Sequence, residues 1–227
     1  MRISNEVARS MRGMIALAAF SVLLSACGAI PGGRGEQAQR PSSSAGLGVF
    51  DPSPSARQCF SDLNKANVRF SPLPNRQFGG GCSQIDSIKL LDVGADVTNL
   101  GPVKCELAGK FAAWTEYAVK RAARQYLGSD LKRIETMGSY SCRNIAGSGK
   151  LSEHAHANAI DVSAFVLTDG RRITVENNWK SGRREMQFLT AIHDSACKRF
   201  GTVLSPNYNA AHRDHFHLDM SGNGYCR

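Results

Sequence analysis

The side chains best suited to chemistry fall in two stretches, Ser152 to Asp161 (SEHAHANAID) and Asp214 to His217 (DHFH). Five of the six histidines, His154, His156, His212, His215 and His217, lie in or beside them, and only His193 stands apart. Such a gathering points to a metal centre, since neutral imidazole and carboxylate are ligands that borderline divalent ions accept. His154, Asp161 and His217 would supply three N/O ligands, the number a catalytic zinc keeps when one position is left for water. One carboxylate leaves such a Zn2+ centre net positive, which polarises a carbonyl and draws the pKa of bound water down to roughly 7. His156 reads as an exposed loop histidine, with a fourth protein ligand or a substrate contact as the alternative, and His193 as a satisfied or exposed one on a helix. Ser152 is a candidate for a hydrogen bond that holds a ligand in place.

These residues need elements to position them. On a strand, residues two apart face the same side, so His215 and His217 can look into one cleft, whereas Asp214 points away unless the chain bends there. Asp161 follows His154 at an odd separation, so the chain must turn between them, and Ala157 and Asn158 are where it can. Gln84 to Val97 is apolar and β-branched and predicts one or two strands, broken at Gly94, in an outer part of a sheet. Pro102 to Leu127 places Leu107, Phe111, Trp114, Ala118 and Ala122 at spacings of three and four before Gly128, an amphipathic helix with Trp114 in the core. Leu131 to Tyr140 and Ala159 to Leu167 read as strands, with Asp169-Gly170 turning the chain into Arg172 to Val175. Arg184 to Phe200 reads as a second helix ended by Gly201, and Thr202 to Leu204 and Phe216 to Met220 complete the sheet. The fold class is therefore α+β, a mostly antiparallel sheet with helices packed on one side.

Residues 1–26 read as a targeting segment, with Arg2, Arg9 and Arg12 ahead of an apolar run from Met14 to Leu24 that is too short to stay in a bilayer as a spanning helix. The run ends Leu24-Ser25-Ala26-Cys27, which resembles the bacterial lipobox, so 1–26 is assigned as a lipoprotein signal peptide and Cys27 as the lipidated residue. Gly28 stands where an aspartate would resemble an inner-membrane retention signal, so the expected location is the periplasm, lipid-anchored to the outer membrane. Residues 27–57, rich in Gly, Pro, Ser, Gln and Arg, read as a flexible linker. Residues 58–227, about 170 in all, are enough for one domain with its own core. The cysteines remaining in that domain, Cys59, Cys82, Cys105, Cys142, Cys197 and Cys226, are even in number in an exported chain, which predicts three disulfides whose pairing the sequence leaves open. Loss of Arg2, Arg9, Arg12 and Glu6 with the signal takes the formal charge from +9 to +7. A basic surface suits anionic neighbours such as peptidoglycan, a teichoic-like polymer or lipid headgroups. No basic-aromatic stripe of the kind that stacks bases is present, and nucleic acid is not an expected partner. Nothing in the sequence specifies an oligomeric state.

Ser152-x-His154-x-x-Ala157-x-Ala159-x-Asp161 followed by His215-x-His217 resembles the zinc site of the superfamily that unites lysostaphin-type endopeptidases, D-alanyl-D-alanine peptidases and the hedgehog signalling domain. From Cys59 to Arg227 the chain more closely resembles the bacterial extensin-like C-terminal domain family. That resemblance rests on Gly138-Ser139-Tyr140-Ser141-Cys142-Arg143, Ser152-Glu153-His154-Ala155, Ala159-Ile160-Asp161-Val162, Thr202-Val203-Leu204-Ser205-Pro206 and His212-x-Asp214-His215-Phe216-His217-x-Asp219. There is no Ser-Pro array of a plant wall protein. The wider resemblance implies a hedgehog/D-Ala-D-Ala peptidase-like fold and a zinc metallopeptidase that hydrolyses peptidoglycan cross-links or stem peptides.

It further implies two candidates for the catalytic base: Asp214, by the carboxylate pattern of the D-alanyl-D-alanine branch, and His215, by the His-x-His pattern. Arg143, in a Tyr-x-x-Arg context, resembles the arginine those carboxypeptidases place near substrate; a surface salt bridge is the alternative. The superfamily peptidases usually have glycine at the position of Ala157, and that departure bears on the local backbone. The rival expectation is a non-catalytic lipoprotein in which zinc serves structure or grip on the cell wall.

Overall fold

The computed structural model describes residues 50–222 and 224–227. The segment expected to be a signal peptide, Cys27 and the expected linker as far as residue 49 lie outside the described residues. Helix α1 (Pro54–Lys65) begins with Pro54 in the first turn, and the Ser53 side chain accepts from the Ala56 backbone N–H. Proline there costs no hydrogen bond, because that N–H would lack a helical partner anyway. Residues 54–57, which composition assigns to the linker, are thus the first turn of a capped helix. Ser53 is held in turn by Asp86, which accepts from its N–H at 3.0 Å and its hydroxyl at 2.7 Å.

The strands follow as β1 (Arg69–Pro72), β2 (Arg76–Gln77), β3 (Ser83–Gln84), β4 (Ser87–Asp92), β5 (Asp96–Thr98) and β6 (Val103–Lys104). The long helix α2 occupies residues 105–127, α-helical over Cys105–Trp114 and Lys120–Ala122 with π-helical turns at Thr115–Val119 and Ala123–Leu127. Gly128 closes it in the left-handed conformation at φ 67°, which satisfies the expected glycine stop. Then come β7 (Leu131–Gly138), β8 (Ala159–Leu167), β9 (Arg172–Thr174), α3 (Val175–Asn178), α4 (Arg183–Cys197), β10 (Thr202–Leu204), β11 (Phe216–Asp219) and β12 (Tyr225–Cys226).

The main sheet has seven strands in the order β12-β10-β11-β8-β7-β5, with β9 also paired to β8. Only β10–β12 and β5–β7 are parallel, so the sheet is mixed and mostly antiparallel. The predicted Gln84 to Val97 segment splits: β4 joins β1 and β6 in a separate three-stranded sheet, and β5 alone forms the outer edge of the large one. Gly94, at φ 79°, makes the break between them.

Helices α2 and α4 pack on one face of the large sheet around Trp114, which meets Phe165 and Phe200 edge-on and donates its indole N–H to the Ile192 carbonyl at 2.9 Å. Strand β8 reaches this core twice over. Ile160 and Val162 belong to it, and so do Phe165 and Leu167, a change of parity permitted by the irregular register at Ser163, between the pairs Thr136↔Val162 and Glu135↔Ala164. Upstream of that bulge, Asp161 is turned to the opposite face. Strand β11 does the same with Phe216 and Leu218 in the core and His217 facing away from it.

Three disulfides form, as the even cysteine count predicts. Cys59–Cys105 ties α1 to the start of α2, Cys82–Cys142 pins the loop after β7, and Cys197–Cys226 joins the end of α4 to β12. The second helix ends at Cys197, short of the predicted Phe200. Gly201 therefore does not terminate it. A Cβ on Gly201 would lie 2.0 Å from the Ser221 carbonyl oxygen, so glycine is required there by backbone crossing backbone. Among the described residues no helix is long and apolar enough to cross a membrane.

Candidate metal centre

Strands β8 and β11 lie side by side with Asp161 directly opposite His217, which brings a carboxylate and an imidazole to one face. His154 arrives from the short 3-10 turn Glu153–His156, capped by the Ser152 hydroxyl accepting from the His154 backbone N–H at 3.4 Å. The turn the odd spacing demands occurs at Ala157, which takes the left-handed conformation at φ 52°. A non-glycine residue there costs about 1–2 kcal/mol, so alanine adopts the geometry that glycine gives freely. Ser152 thus holds the His154 backbone; the His154 ring is held by Ser139, whose carbonyl accepts from its Nδ1–H at 2.9 Å.

The three inward atoms converge. His154 Nε2 lies 3.1 Å from Asp161 Oδ2 and 3.2 Å from His217 Nδ1, and His217 Nδ1 lies 2.9 Å from Asp161 Oδ1. Their other ring nitrogens are already committed: His154 Nδ1–H to Ser139, and His217 Nε2–H to the buried Asp219 carboxylate at 2.8 Å. Each neutral imidazole therefore turns a lone pair inward, toward the other's lone pair and a carboxylate. Three acceptors in contact, with no donor among them, require a cation between, either a proton or a metal ion. The donor set of two nitrogens and one oxygen, with hydrogen-bonded outer nitrogens, fits a divalent metal.

Without metal, a proton takes that place. Burial works against charge on His217, but hydrogen bonds to Asp161 and Asp219 outweigh it and raise its pKa to about 9. Burial alone would also raise the Asp161 carboxyl, yet the His154 and His217 hydrogen bonds hold it far below the usual carboxylate range. His217 therefore stabilises the metal-free fold fully below about pH 6.5, and that contribution is lost as pH rises through about 9. Metal-stripped protein should lose on the order of 3 kcal/mol of stability across that window. Metal binding should strengthen over the same window, because the cation displaces the proton. Thermal unfolding with and without metal measures both, and parallel pH profiles would refute the competition.

His215 stands beside the cluster, its Nε2 3.6 Å from Asp161 Oδ1. Its Nδ1–H donates to Asp214 Oδ1 at 2.8 Å, and this bond, more than burial opposes it, holds the Asp214 carboxyl below its ordinary value. The two candidate bases thus form one pair, with His215 facing the ligand atoms and Asp214 behind it. His212 is half-buried, and burial together with the charges of His215 and His217 lowers its pKa to about 4. Arg143 is exposed on the loop that Cys82–Cys142 pins; among the described residues it makes no ion pair, and its charge is felt at His212.

One expectation is corrected. His156 is not an exposed loop residue: it is half-buried and shares a 3.0 Å hydrogen bond with the Ser83 hydroxyl. His193 meets the expectation of a satisfied helix histidine: its ring meets Trp179 edge-on and lies tilted against Phe216 beside the Cys197–Cys226 disulfide; those sulfurs are bonded to each other and offer no metal site. Asp219 is the member of this cluster that spacing alone passes over, although its place two after His217 on one strand face was a usable signal. Its Oδ1 accepts from the Ser221 N–H and hydroxyl, both at 2.7 Å, which fixes the carboxylate. Asp219→Asn should weaken metal binding by about 10–100-fold with the ligands intact, as competition with a chelator will measure. A cavity of about 1000 Å³ between α1 and α2 is bordered by none of these residues.

The family model for the extensin-like protein C-terminus matches residues 57–227, and the chain belongs to that family. Neither a curated protein nor a solved structure matches the chain.

Proposed function

We propose that this member of the extensin-like family is a zinc-dependent hydrolase of peptidoglycan peptide bonds, acting as an endopeptidase or carboxypeptidase. The observation behind the proposal is the convergence of His154, Asp161 and His217 lone pairs, with an Asp214–His215 pair beside them. This set supports grouping the fold with the lysostaphin, D-alanyl-D-alanine peptidase and hedgehog superfamily. A signal-like N-terminus ending in Cys27 and three disulfides in the domain support a periplasmic lipoprotein, anchored to the outer membrane by its lipid and working on the wall.

Zinc, when bound by His154 Nε2, Asp161 and His217 Nδ1, would polarise a carbonyl and lower the pKa of water to roughly 7. The chain's own residues supply the rest. Asp214 fixes the His215 tautomer, so that Nε2 is the free acceptor, placed to take a proton from the attacking water and return it to the leaving amine. Ser139 and Asp219 keep both ligand rings aimed inward, and Asp161 contributes the single negative charge. Arg143, pinned next to Cys142 and unpaired with any carboxylate among the described residues, would hold a stem-peptide carboxylate or orient the carbonyl under attack.

The test is incubation of zinc-loaded protein with muropeptides of each cross-link type, followed by mass spectrometry of the products. A gain of one water across a defined amide is the expected result. Loaded protein that leaves every type intact, yet binds sacculi, would replace the hydrolase with a zinc-containing wall-binding or scaffold lipoprotein.

A further inference from the structure

Aromatic rings continue outward from the metal centre. The His212 ring lies 5.1 Å from that of His215 and 5.9 Å from that of His217. Tyr208 follows at 5.3 Å from His212, Tyr225 at 6.1 Å from Tyr208, and the Arg227 guanidinium sits 6.0 Å over the Tyr225 ring. Both tyrosines are well exposed, at 43% and 47%. Neither is needed by the core, and both are held on fixed backbone. Tyr208 N–H donates to the Ser205 carbonyl, and Tyr225 lies on β12 beside Thr202, next to the cysteine bonded to α4.

We propose that Tyr208 and Tyr225, whose rings stand at 85° to each other, form a glycan subsite, a corner in which one ring takes the face of an amino-sugar residue of the wall polymer and the other lines its edge, while the attached peptide lies in the metal centre. Exposed phenol rings suit a ligand with one apolar C–H face and a rim of hydroxyl and amide groups, because the ring takes the face and the phenol hydroxyl can bond the rim. The distances also match. Two ring-to-ring steps, of 5.9 and 5.3 Å, lead from His217 to Tyr208, and three or four extended peptide residues reach about 10–14 Å. A scissile bond a few residues along a stem peptide thus leaves its sugar over the tyrosines. Substrates that keep their glycan should be preferred over free peptides of the same sequence. This assignment rests on the hydrolase reading, but it can be tested apart from it.

Two measurements on the purified chain separate them. Chitotetraose, a sugar probe with no peptide, is titrated against wild type, Tyr208→Ala/Tyr225→Ala and Tyr208→Phe/Tyr225→Phe, with binding followed by NMR. The alanine pair should weaken binding by about tenfold or more, and the phenylalanine pair should retain most of it, which a fold defect would not allow. Hydrolysis of a glycan-bearing muropeptide should fall by a similar factor through KM, with the free peptide unaffected. No chitotetraose binding by wild type, or an equal loss on both substrates, overturns the subsite. Tyrosine-dependent sugar binding by a protein that cleaves neither substrate upholds the subsite and overturns the hydrolase.

Discussion

His217→Ala should strip the centre of its metal and destabilise the metal-free fold by about 3–5 kcal/mol, the cost of leaving a buried charge without its partner. Two carboxylates lose their His217 partner at once, although Asp161 keeps His154 and Asp219 keeps Ser221. Asp161 loses its 2.9 Å contact and Asp219, in the core of the strand pair, loses its 2.8 Å contact. His154→Ala removes a ligand too, but leaves the His217 contacts to both carboxylates standing, so its cost to stability should be clearly smaller. Chemical denaturation of both variants in chelator gives the comparison. Equal losses would mean that the Asp161–His217–Asp219 chain does not carry the stability assigned to it.

His215→Ala should lower turnover of a cross-linked muropeptide by about 10²–10⁴-fold, the usual contribution of a positioned general base, while the metal stays bound. The reason lies in the order of contacts. His215 Nε2 faces the ligand cluster, whereas Asp214 Oδ1 accepts from the far side of the same ring. Asp214→Asn should therefore cost less than His215→Ala, because the ring is still present but loses its preferred tautomer and orientation. Kinetics of both variants at matched metal content decide the matter; a larger loss in Asp214→Asn would transfer the base to the carboxylate.

Much of the candidate site's geometry was legible because strand periodicity is strict. Alternation puts Phe216 and Leu218 in the core and therefore His215, His217 and Asp219 on the other face, and the odd spacing of His154 and Asp161 requires the turn that Ala157 makes. The long helix, the strand Ala159–Leu167 and the three disulfides were legible for similar reasons. What escaped depends on contacts distant in sequence. Helix α1 carries local signals in Ser53 and Pro54, but they are submerged in a Ser/Pro-rich composition, and its anchors are Asp86 and Cys105. Strand β12 has only Tyr225 and Cys226, too short for any pattern, and exists because it pairs with β10 and is bonded to α4. The bulge near Ser163 also lies beyond a period-two reading, since it appears only in the register with β7.

The most direct test is the metal content of the chain, produced in an oxidising compartment without added metal and measured by elemental mass spectrometry. The three inward-facing acceptors predict about one zinc per chain, with His154→Ala reduced to background. Correctly disulfide-bonded protein that carries no metal, and takes up none from added Zn2+, would contradict the metal centre and the hydrolase built on it.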